Sequence, residues 1–236
     1  VGEAGMVTIS AGAGRANDGG DVGVYGGGSS SRTGGNIIMY SGMSELSSSG
    51  NLRFESARAG SLGSSGAVEF ITGASSGSSS GSIRLGSGKS AESRGGDVSI
   101  MVGGGSSGVG GRLTFQGGRS TVSTGGTINI IAGESSKSSS GNVLIASGDA
   151  GLKGSSGSIS LQSGTSSSGN TGEVRIATGN AMNGKAGGIS IAVGNGDSGN
   201  GGSIELSAGL TKKLGGAGGS VSIRSGSSTN EIGGNA

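Results

Sequence analysis

The chain has 236 residues, 60 of them glycine, with 2% aromatic residues, 30% hydrophobic residues and a formal net charge of +2. That balance, with Lys212 and Lys213 as its single basic cluster, speaks against a nucleic-acid partner held by a phosphate-neutralising patch. No apolar run approaches the roughly 20 residues that span a bilayer, and the absence of His and Cys excludes disulfides, thiolate or imidazole metal sites and a Ser-His-Asp triad.

Such a composition alone describes a low-complexity chain, but an internal repeat runs through it. Its first apolar site falls at Val7, Val22, Ile37, Leu52, Val68, Ile83, Val98, Leu113, Ile128, Val143, Ile159, Val174, Ile189, Ile204 and Val221. The spacing is 15 residues, stretched to 16 before Val68 and Ile159 and to 17 before Val221. A second apolar site follows two residues later in every unit, as in Ile9, Phe54, Phe70, Ile100, Phe115 and Ile223. Gly stands two residues before each first site, and three residues after each second site, where Ala57 is the one exception.

Apolar residues alternating with variable ones predict a short strand with one buried face, and the framing glycines predict turns. The fifth strand position is small throughout (Ala11, Ser41, Thr72, Val102, Ser147), and so is the position three further on, as in Ser29, Ser75, Ser90, Ser120, Ser135 and Ser166. These small residues predict a thin return side against the apolar stripe. The fold expected from this pattern is all-β: one continuous parallel β-solenoid over residues 1–236, about fifteen coils of 15 residues with one VxIxx strand per coil. Its ladder would include Val98, Ile100, Leu113, Phe115, Ile128, Ile130, Val143 and Ile145. The lack of Pro agrees, since Pro would delete a ladder donor.

Coil length follows from neighbouring units. With 15 residues per coil, Arg53, Glu69 and Arg84 stack with alternating sign, Asp97 falls beside Arg112, and Phe54 neighbours Phe70; with 30 per coil, Arg53 would face Arg84. The last residues, "IGGNA", stop where a sixteenth strand would start at Ala236, so the expected solenoid is uncapped at both ends and reads as an excerpt of a longer array.

Chemistry is sparse. The stretch "GSGKS" at 86–90 lacks the first phosphate-loop glycine, because that place is taken by Ile83 of the apolar stripe. Glu134 and Asp149 share one position in consecutive units, a candidate calcium pair, although Lys89 and Arg119 hold the same position elsewhere. No cofactor and no enzymatic activity are expected. Serine runs such as Ser78 to Ser80 fit either O-linked modification or plain loop filler, and no Asn-x-Ser/Thr acceptor is present.

The phrases "GGDVSIMVGGGSSG" and "GGISIAVGNGDSG" resemble repeats in Ser/Gly-rich secreted and cell-wall proteins of diatoms and other algae. The resemblance implies a filament of the cell surface or extracellular matrix. Solenoid antifreeze proteins are similar in repeat length, but the outward second position here, from Thr8 through Arg53 and Glu69, lacks an ordered Thr face. The function expected is an extracellular structural fibre or stalk, self-associating end to end or laterally and contacting polysaccharide or another surface. The alternative is an adhesin or ice-binding module.

Overall fold

The computed structural model describes residues 4–15 and 18–227; the expected end point at Ala236 lies outside them. Among the described residues there is no helix and no β-strand, hence no sheet and no solenoid. The expected all-β architecture is therefore corrected. Two compact units divide the chain, Val1–Thr114 and Phe115–Ala236.

The reason lies in where the backbone hydrogen bonds go. A solenoid needs each VxIxx segment to bond to the next, yet no backbone group of residues 98–102 or 128–132 enters a backbone–backbone bond. The bonds that form are local, between residues three to ten apart, and all but one join glycines, the exception being Gly216 N–H to the Lys213 carbonyl (3.0 Å). The Gly20 N–H donates to the Gly12 carbonyl (2.9 Å), Gly35 to Gly27 (2.7 Å), Gly50 to Gly42 (2.8 Å), Gly126 to Gly118 (2.8 Å), Gly141 to Gly133 (2.9 Å) and Gly219 to Gly209 (2.8 Å). Each closes a surface loop on itself, in the manner of an Ω-loop.

The 15-residue period survives as a period of loops. The backbone bends at 30–32, 45–47, 61–63, 76–78 and 91–93, and in the same phase through 182–184, 197–200 and 213–215. The extra residues of the longer units fall within their loops, between Ala57 and Gly66, Gly148 and Gly157, and Gly209 and Gly219.

Between loops the apolar pairs are shielded on one side only. Val98, Leu113 and Ile128 keep 59, 49 and 51% of full exposure, whereas Met101 and Ile131, out of that phase, keep 86 and 87%. None of the ladder residues Val98, Ile100, Leu113, Phe115, Ile128, Ile130, Val143 and Ile145 is buried, and no described residue forms a core. The accessible surface is 24092 Å², against about 9,000 Å² for a compact chain of this mass and about 32,000 Å² for an unfolded one. Two apolar side chains per repeat bury too little to offset the ordering entropy of a glycine-rich backbone.

The amides of 98–102 and 128–132 are therefore expected to exchange with solvent near their intrinsic rates, measured by NMR on dilute chain. Protection of tenfold or more there would reveal strand pairing and refute this backbone arrangement.

Candidate functional site

No cavity forms among the described residues, so the candidate site is a repeated surface made of a loop clasp, a turn cap and an apolar pair. The clasp begins at the fifth strand position, four residues after the first apolar site. In all fourteen loops from 12–20 to 209–219, this residue lies against the glycine that precedes the next apolar site. Ala11 Cβ is 3.3 Å from where a Cβ on Gly20 would sit, Ala132 Cβ 3.6 Å from that of Gly141, and Ala208 Cβ 3.4 Å from that of Gly219. A Cβ on Gly126 would lie 2.8 Å from the Gly118 nitrogen, closer than real side chains come, so the close approach requires glycine there. Among the least exposed residues are the fifth-position Ser56, Thr72, Gly117 and Ala132.

Most loops make their turn in one of two ways. Where Ser or Thr stands two residues after the closing glycine, its side-chain oxygen accepts a backbone N–H further along. Arg32 N–H donates to Ser29 Oγ (2.9 Å), Ser47 to Ser44 (3.0 Å), Ser78 to Ser75 (3.2 Å), Ser93 to Ser90 (3.1 Å), Ser123 to Ser120 (2.9 Å) and Ser138 to Ser135 (3.0 Å), and Lys213 N–H donates to Thr211 Oγ1 (3.2 Å). These are serine–threonine turns. In four loops with Ala or Gly at that position a left-handed residue makes the turn instead, at Gly108 (φ 89°), Gly154 (φ 125°), Asn183 (φ 60°) and Gly199 (φ 77°), while in 57–66, with Ala59 there, the Gly63 N–H donates to the Gly60 carbonyl (3.4 Å). Ser166 makes no such bond, and its loop turns at Gly169.

Of the serines expected to press on an apolar stripe, Ser29, Ser75, Ser90, Ser120 and Ser135 thus cap turns. Ser44 and Thr211 belong with them and were missed. The signal that finds them is Ser or Thr two residues past the closing glycine.

Charged residues pair locally. Arg53 is paired with Glu55, and Arg94 donates to Asp97 Oδ2 at 2.7 Å. Glu69, Arg84 and Arg112 enter no ion pair among the described residues. Both pairs are largely exposed, and such pairs contribute little in water. Phe54 and Phe70 do meet, edge to face with ring centroids 6.3 Å apart, so the second apolar sites of these two consecutive repeats are neighbours. Among the described residues Glu134 and Asp149 enter no ion pair, and no group of three or more carboxylates gathers. A two-carboxylate set falls short of the six to eight oxygens calcium takes.

No helix among the described residues is long and apolar enough to cross a membrane. No protein-family model, curated protein or solved structure matches the chain.

Gly126→Ala is expected to break the Gly126–Gly118 bond at a cost of about 1 kcal/mol to loop closure. Temperature dependence of the residue 126 amide shift checks this; an unchanged shift slope would show that no close approach exists there.

Proposed function

We propose that this chain is a structural repeat protein of extracellular or cell-surface material, building a fibre or stalk by association with further copies of itself. The observation that carries the reading is the exposed apolar pair at the same phase of each repeat, its first site about half-shielded from Val22 onward, with closed or turned Gly/Ser loops between. Surface of this kind, recurring along a chain, marks a site of association. The Gly/Ser bias and the resemblance to secreted and cell-wall repeats support an extracellular location. Loops rich in Ser and Gly suit hydration and contact with polysaccharide.

An adhesin or ice-binding module is the alternative. Two loop conformations interleave along the chain, which counts against the uniform face that lattice matching to ice requires.

Purified chain is expected to assemble above a threshold concentration into unbranched filaments seen by electron microscopy. Replacing Val98, Ile100, Ile128 and Ile130 together by Ser removes four apolar side chains and is expected to raise that threshold at least tenfold. Chain that stays monomeric at all concentrations and shows thermal hysteresis would overturn the fibre reading in favour of ice binding.

A further inference from the structure

Six of the fourteen loops are latched by the glycine–glycine bond, at 12–20, 27–35, 42–50, 118–126, 133–141 and 209–219. The turn cap does not by itself decide which. The loops at 73–81 and 88–96 are capped by Ser75 and Ser90 yet unlatched, and 12–20 is latched with Gly14 at the cap position. The fifth residue sorts them better. Every loop in which it is Gly or Ala, namely Ala11, Gly26, Gly117, Ala132 and Ala208, is latched. Of the nine loops with Ser, Thr or Val there, only the one beginning from Ser41 is latched.

We infer that the fifth residue of each repeat is a wedge whose side-chain size sets whether the following loop carries the glycine–glycine latch, so that the chain is a built-in series of latched and unlatched loops. The geometry supplies the cause. The Val193 Cγ1 lies 2.7 Å from where a Cβ on Gly202 would be, and the Val102 Cγ1 presses on Gly111 closer still. The Thr72 Cγ2 is 3.3 Å from the same place at Gly81. At Thr and Val a γ-carbon fills the space the incoming glycine backbone needs to reach the carbonyl at the start of the loop, whereas the unlatched Ser56, Ser87, Ser147 and Ser163 meet that glycine through Cβ. Gly or Ala leaves that space free, and the Ser/Thr cap then tightens the turn.

The consequence is mechanical. A latched loop holds its ends one hydrogen bond apart, while eight residues drawn out span roughly 26–29 Å. Each latch is single, exposed and net worth little, so modest tension releases it, and it reforms when slack returns. Latched loops occupy 12–50, 118–141 and 209–219, and open ones occupy 57–111 and 148–202. The chain is thus banded along its length.

The latch is a property of one chain, so its test is run below any assembly threshold and is independent of the fibre reading. Amide exchange of glycine N–H groups is followed by NMR on full chain with nitrogen-labelled glycine. Ala132→Val is expected to speed Gly141 exchange about fivefold, the loss of one net hydrogen bond. Thr72→Ala, in a loop already capped by Ser75, is expected to slow Gly81 exchange by a similar factor. Ala132→Ser and the untouched Gly126 serve as polar-size and internal controls. Unchanged exchange at Gly141 in Ala132→Val, or at Gly81 in Thr72→Ala, would overturn the wedge.

Discussion

The close approach of a glycine backbone to a small side chain nine residues earlier is the constraint from which the other features follow. At Gly126 the approach brings two backbones so near that no Cβ fits between them. It accounts for glycine where the approach is closest, as at Gly35, Gly126 and Gly219, for a fifth residue never larger than Val, and for the local hydrogen bonds. A loop of this kind is closed by contacts among residues near in sequence, which costs little chain entropy. Pairing with the next repeat would cost more and bury only two apolar side chains.

That competition explains the absence of a sheet. In latched loops the framing glycine N–H groups are bonded to carbonyls of their own repeat, and the polar capping atoms are Ser and Thr oxygens rather than neighbouring strands. The apolar pairs stay in one phase, since Val98 and Leu113 are more shielded than Met101. They are partly shielded without being enclosed. Phe54 against Phe70 shows that consecutive repeats in the first unit come into contact through side chains, with no ladder between their backbones.

A protein organised this way suits a role in which length, hydration and multiplicity matter more than a single binding pocket. In the proposed fibre the apolar pairs would offer many weak points of association, which gain strength through number. The loops between them are soluble spacers of two kinds, one latched and one open. Distribution of the kinds along the chain is written at a single position per repeat, so material properties can vary along its length while the association points stay constant.

Much of this was legible in the residues and some was not. The 15-residue period, the unit boundaries, the loop position of the extra residues and the adjacency of Phe54 and Phe70 all follow from spacing, because repeats of equal length repeat their local geometry. The small fifth residue was visible, but its reason was misassigned to a thin coil. The Ser29 and Ser120 caps were visible as small residues and not as hydrogen-bond acceptors. Arg53 was matched to Glu69 by register, whereas in the structure it meets Glu55 two residues away.

Sequence by itself determined the repeat, its phase and the glycine frame, since these depend on local sterics that each fifteen-residue unit carries whole. Whether the alternating apolar pairs would zip into a sheet was decided only by tertiary structure. Alternation is equally compatible with a paired strand and with a segment flanked by self-closed loops. The outcome turns on whether backbone groups find partners inside the repeat or beyond it, and in this protein the bonds that form are found inside.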